Sequence, residues 1–325
     1  MSELGPSAPL SDEEKEAQGV SLAREIAALR GGAKTDADYE IMLQKTRELK
    51  EMFGIALAES GLSGEILDQI DQAKEILGED VFGPEAVTEA FGITVESESV
   101  PAIPFSKEEL ERAKELGQML LLRVDKTSDG TPLTMKKIGE TLGGKVKDDG
   151  KVFYDTDWYK EEKFYTEDAP EAGWALVSKD LAPDSTSKNY LEQTELLIGQ
   201  LNESFGGAEN LPEEYVGAVE EYVKAKDEIA GLIDSDWEKA AEKLEGLQIN
   251  QLLRQSPSEA LYDLTLYFQN TGERLLGDKY TWTKRRYSVG NLVRVGRFES
   301  DGVDVYGDRP DDSGDNLGVS FSRSR

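Results

Sequence analysis

From Tyr280 to Ser322 the apolar residues recur at every second position: Val293 and Val295, Val303 and Val305, then Leu317, Val319 and Phe321. A period of two describes strands with one buried face, and Gly302 and Gly314 supply the turns between them. Such a sheet cannot stand alone in water, so the rest of the chain has to cover it. Gly296, Phe298, Val303, Val305, Leu317, Val319 and Phe321 are the expected inward-facing or tight-backbone frame.

The covering material is mostly helical. Ser11 with Glu14 at N3 opens a first helix that ends at Gly31-Gly32; a second follows Thr35, a third starts at Ser63 and a fourth follows Pro84. Each is too short to persist in isolation. Residues 94–104 are acidic and hold two prolines, which reads as a linker. Phe105-Ser106 with Glu109 then begins a fresh helix with a capping box and staple. The expected organisation is an α+β protein, with a helical N-terminal region over 1–95 and a mixed body over 105–325. That body opens with a buried strand around residues 119–124. Further helices are expected over 186–250, one of them capped at Ser235-Asp236-Trp237-Glu238. A last helix begins at Ser256-Pro257-Ser258-Glu259 and leads into the terminal strands.

Composition removes whole classes of chemistry. With no cysteine and no histidine there are no disulfides, no thiol chemistry, no His-dependent triads and no Cys/His zinc site. The 66 acidic residues outnumber the 37 basic ones, and a net charge of −29 makes nucleic acid and anionic membranes poor partners. No basic-then-apolar leader and no span of membrane-crossing length occurs, so a soluble chain made in the cytoplasm, with no membrane insertion, is expected. The aspartates lack EF-hand spacing, and no metal and no cofactor are expected.

Two motifs invite a catalytic reading. Gly139 to Lys145 nearly matches a phosphate-binding loop, but Val146 stands where Ser or Thr would bind magnesium and the preceding segment is helical, so the glycines read as a helix terminus. Residues 151–176 gather Phe153, Tyr154, Trp158, Tyr159, Phe164, Tyr165 and Trp174 beside Asp155 and Asp157. A carboxylate-dependent hydrolase needs two such carboxylates flanking a bond; core packing is the commoner use of so many rings.

The connection before the last strand mixes Asp304, Tyr306, Gly307, Asp308, Arg309, Asp311, Asp312, Ser313, Gly314 and Asp315. Loops on a rigid scaffold concentrate binding residues, and this usage is that of adaptable paratopes. Ser256-Pro257-Ser258-Glu259-Ala260, Val293-Arg294-Val295-Gly296-Arg297-Phe298 and Asn316-Leu317-Gly318-Val319-Ser320-Phe321-Ser322-Arg323-Ser324 resemble the variable proteins of diversity-generating retroelements. The resemblance covers residues 250–325 and extends over the body from about 105. It implies a C-type lectin-like domain of the formylglycine-generating-enzyme subtype, with a small antiparallel sheet and packed helices. Its hypervariable segment would lie at about 285–316, diversified by adenine-directed reverse transcription. The cysteines that such enzymes use for catalysis are absent here, so no enzymatic activity carries over.

The resemblance and the alternation together select Tyr287, Asp301, Asp304, Tyr306, Gly307, Asp308, Arg309, Asp311, Asp312, Ser313, Gly314 and Asp315 as ligand-binding positions, while Lys284 and Glu299 are of types that such adenine randomisation does not produce and belong to the fixed scaffold. The implied partner is a protein or another exposed macromolecule. A structural surface or virion component is the alternative.

Overall fold

The computed structural model describes residues 64–324 together with Leu22, Glu25, Ile41, Gln44 and Lys45. The chain divides into two compact units, residues 1–62 and 63–325. In the first, the five described residues are helical, Leu22 is buried, and Lys45 pairs with Glu25 at 2.5 Å. The expected caps and glycine stops of its helices lie outside the described residues.

The second unit is mixed α and β. Numbered from Gly64, its elements begin with α1 (Gly64–Leu77), β1 (Val81–Phe82), α2 (Pro84–Phe91), α3 (Lys107–Glu115), β2 (Gln118–Arg123), α4 (Met135–Thr141), the single turn α5 (Lys163–Thr166) and β3 (Gly173–Ser178). A helical run follows: α6 (Tyr190–Ser204), α7 (Glu213–Ser235), α8 (Trp237–Gly246), α9 (Gln248–Leu253) and α10 (Pro257–Thr271). The chain then forms β4 (Tyr280–Arg286), β5 (Leu292–Glu299), β6 (Gly302–Asp308), β7 (Leu317–Gly318) and β8 (Ser322–Ser324).

These strands make two four-stranded sheets, ordered β1-β2-β3-β8 and β6-β5-β4-β7. Their pairings are antiparallel except β1 with β2 and β4 with β7. Helix α10 packs against strands of both sheets and is buried from Pro257 to Phe268. It is built for that place: Ser256 and Glu259 close a reciprocal capping box, Pro257 takes a first-turn position that needs no donor, and Gly272 ends the helix in the left-handed region. The side chains that fill its surroundings include Phe298, edge-on to Phe268 at 5.4 Å, and Phe91, stacked on Tyr262 at 4.8 Å.

Three positions depart from expectation. Residues 64–91 are part of this unit, not of a separable N-terminal region, because β1 pairs with β2, α1 packs on α3 and α2 packs on α10. The proline-bearing 94–104 stretch is a strap inside the unit. Pro101 O accepts from Trp174 Nε1 at 2.9 Å, Ile103 N donates to Gln69 Oε1 at 2.8 Å, and Val100 is buried. Prolines and exposed acids lend it a linker's composition, yet these two hydrogen bonds and buried Val100 anchor it. Third, α7 runs through Ser235, and the cap of α8 is Asp236, whose Oδ1 accepts from Lys239 N at 3.3 Å.

The alternating run over residues 317–321, read as one closing strand, is also broken, since β7 ends at Gly318 and residues 319–321 lie in no strand; elsewhere the local reading holds. The capping box at Ser106 opens α3, β2 is buried throughout, and Gly143 and Gly144 take left-handed conformations that end α4. The whole expected frame, from Gly296 and Phe298 through Val303, Val305, Leu317 and Val319 to Phe321, is buried.

Charge is buried as well, mostly in ion pairs; among the described residues Arg254 is the exception, held by Asn250 Oδ1, Tyr190 O and Thr194 Oγ1 and lying over the Tyr190 ring. Arg123 reaches both carboxylate oxygens of Asp263, at 3.0 and 2.5 Å, and Ser322 Oγ at 3.0 Å; Lys284 pairs with Glu259 at 3.2 Å; Arg323 pairs with Glu109 at 2.5 Å. Isolated ions would not survive such burial, so each pair enforces one arrangement of the segments it joins.

Candidate binding face

Register decides which side of β4, β5 and β6 each residue occupies. Trp282 lies opposite Arg294, Arg294 opposite Tyr306, Gly296 opposite Asp304, and Leu292 opposite Asp308, so all of these share one side. Val293, Val295, Val303, Val305 and Gly307 share the other, which is buried. Helices α6 to α9 cover the first side over β4, where Trp282 meets Tyr190 edge-on at 5.5 Å and joins Leu292 in a common core. Toward β6 the covering stops, and Tyr306 stands 50% exposed.

What remains open is a row of polar and aromatic groups tied to one another. Arg294 Nε stands 2.6 Å from Asp308 Oδ2, and its guanidinium lies over the rings of Tyr280, at 4.0 Å, and Tyr306, at 5.2 Å. Tyr280 donates to Asp304 Oδ2 at 2.6 Å. Burial, reinforced by the Asp304 carboxylate, pushes the Tyr280 hydroxyl up to about 12, so it remains a donor at neutral pH. Burial also raises the Asp308 carboxyl, with Arg294 opposing the rise and Asp312 adding to it. Side chains held in this way are pre-ordered, which lowers the entropy lost on binding.

Of the twelve residues expected to bind, Asp304, Tyr306 and Asp308 come together here; Tyr287, just after β4, lays its ring over Gly307 on the other side of the sheet and meets Trp158. Asp301 sits in the turn between β5 and β6, close enough to Arg297 to stabilise its charge. Gly307 does not belong with them. It is buried and has the parity of Val303 and Val305, and a Cβ added there would overlap the ring of Tyr287.

Arg309, Asp311, Asp312, Ser313, Gly314 and Asp315 form a second group on the connection to β7. Asp312 Oδ2 accepts from Arg309 N at 2.8 Å, Pro310 O accepts from Tyr190 N at 3.1 Å, Gly314 O accepts from Ser187 N at 2.7 Å, and the Arg309 guanidinium lies 4.9 Å from the Trp237 ring. These contacts lead the run toward α6 and α8. Its carboxylates at 311, 312 and 315 are exposed.

Two residues of the face escaped the sequence reading. Trp158 is 38% and Tyr154 49% exposed, although the aromatic-rich segment was expected to pack the body, as Tyr159, Phe164 and Trp174 do. Trp158 meets Tyr287 at 5.2 Å and Tyr306 at 6.0 Å, both edge-on. Arg294 could have been found, since it has the parity opposite to Val293 and Val295.

Among the described residues no group of three or more carboxylates is arranged to hold a metal ion, and no helix is long and apolar enough to cross a membrane. The phosphate-loop reading of residues 139–145 meets a helix where a strand would be required. The chain has no match among protein-family models, curated proteins or solved structures.

Proposed function

We propose that the protein is a ligand-binding protein, a diversity-generating retroelement variable protein whose lectin-like body presents a diversified surface at 285–316. One observation supports this above the others. Asp304, Tyr306 and Asp308, all of types that adenine-directed mutagenesis produces, converge on the open part of a sheet whose alternate residues Val303 and Val305 are buried. These three positions alternate with the buried valines along β6, so their side chains can change while the inward-facing frame stays fixed. Tyr and Arg are also the types that dominate contact energies, with carboxylates adding polar selection.

The test is to sequence this coding segment across many members of one source population. Differences confined to adenine-derived codons, clustered at 287, 301, 304, 306, 308 and 309–315 with Phe298 and Leu317 constant, are expected. Substitutions spread evenly over residues 105–325 would exclude the reading.

A further inference from the structure

Part of the open face comes from outside the terminal strands. Phe153 forms a parallel bridge with Val303; Tyr154 N donates to Val303 O at 3.0 Å, and Val303 N to Val152 O at 2.9 Å. From this anchor the chain runs beside β6 in the same direction. Tyr154 comes under the Arg297 guanidinium at 5.9 Å, and Trp158 reaches Tyr287 and Tyr306. The half-exposed rings of Tyr154, Trp158 and Tyr306 therefore flank one sheet edge, an arrangement that marks an interaction surface more than scattered apolar residues do.

The surroundings of these rings are strongly negative. Residues 154–162 and 287–316 together hold eleven carboxylates and four cations, a steeper excess than the 66 to 37 of the whole chain. The four cations are already engaged within the unit: Arg294 with Asp308, Lys160 with Asp157, Arg297 with Glu299, and Arg309 on Trp237. Ring faces carry a negative quadrupole, and with carboxylates beside them both features attract cations.

We infer that this composite face binds a lysine- or arginine-rich segment of a protein partner. The aliphatic stems of the partner's basic residues lie across Tyr154, Trp158 and Tyr306, and their charged heads reach Asp155, Asp157 and Asp304. The inference rests on the sheet being a ligand-binding face, and it adds a contribution from residues 154–158, outside the segment proposed to vary. A neutral glycan would use the rings but not the charge. A second copy of a chain with net charge −29 would be repelled.

The test is to pan the full chain against a displayed library of random short peptides and measure the best binder by calorimetry at low and high salt. Enrichment of lysine and arginine is expected. Trp158→Ala and Tyr306→Ala should each weaken binding about tenfold or more. Asp157→Asn, which alters charge with little change of shape, should weaken it about threefold at low salt and leave it unchanged at high salt. Glu213→Gln, an exposed acid at the start of α7, should have no effect.

Neutral or acidic winners, no enrichment, or equal loss with Glu213→Gln would overturn the basic-partner inference. Loss with Tyr306→Ala but none with Trp158→Ala or Asp157→Asn would overturn the composite face while leaving binding by the terminal strands intact. Basic peptides behaving as expected, in a population whose coding segment shows no adenine-directed differences, would remove only the retroelement reading.

Discussion

The ring of Tyr287 occupies the space that a side chain at position 307 would need, so Gly307 is glycine for packing and not for contact with a ligand. Gly307→Ala should cost about 1–3 kcal/mol through overpacking. The double variant Gly307→Ala with Tyr287→Ala should recover part of that loss, because the two positions are coupled. Urea unfolding of both single variants and the double variant measures it; strict additivity would show that the ring does not set the constraint.

Phe298 and the aspartates of the 309–316 connection should differ sharply in cost. Phe298 is fully buried against Phe268, and Phe298→Ala should lose about 3–5 kcal/mol. Asp311→Ala and Asp315→Ala, both exposed, should stay within roughly 0.5 kcal/mol. Denaturant midpoints that rank the aspartates with Phe298 would reverse the assignment of faces.

Acid should weaken the body through Glu259. Burial alone would raise this carboxyl, but Arg123 and Lys284 outweigh it and hold it down at about 2, below its usual 4.5. A carboxylate with a depressed folded value contributes stability that is fully present above about 4.5. That contribution fades as pH falls toward 2, and its size is on the order of 3 kcal/mol. The stability difference between the native chain and Glu259→Gln, followed from pH 6 to 2 at fixed salt, should shrink across this window. A constant difference would mean that the charge of Glu259 does not matter.

A fragment beginning at residue 63 should unfold cooperatively like the compact unit it spans. One beginning at residue 101 loses β1, α1 and α2, strips the edge from β2 and uncovers Tyr262, and should be markedly less stable to denaturant. Equal stability of the two would restore the boundary that the prolines suggest.

The parts legible in the sequence are those where one physical signal acts alone. Period-two spacing identified β5 and β6, though not the break between β7 and β8, and the Ser106 and Ser256 boxes identified two helix starts. Parity could also have removed Gly307 from the contact residues, since it shares the side of Val303 and Val305.

Other parts had no such signal. Ser322, Arg323 and Ser324 form a strand of the other sheet, yet they carry no apolar alternation, and Arg323 is buried only because Glu109 waits for it. A partner 214 residues away leaves no local trace. Trp158 and Tyr154 were hidden for the opposite reason: aromatic residues suggest a core, and only the bridge between Phe153 and Val303 turns these two outward beside β6. The strap over residues 94–104 was misread because proline content reports backbone stiffness, not whether a segment is anchored.

The crossing at the C-terminal end, from β7 in one sheet to β8 in the other, also sets an order of events during synthesis. Ser322 and Arg323 close on Arg123 and Glu109, so the sheet that begins with β1 keeps its β3 edge open until these residues have left the ribosome, after every strand of the other sheet has been made. A stop codon or frameshift within 285–316 releases a chain that lacks β7 and β8, so each sheet is short of a strand and the ion pair between Arg323 and Glu109 cannot form. Such products are expected to fold poorly and fall to proteolysis, so a chain that survives to present the face has been read in frame at least through Arg323.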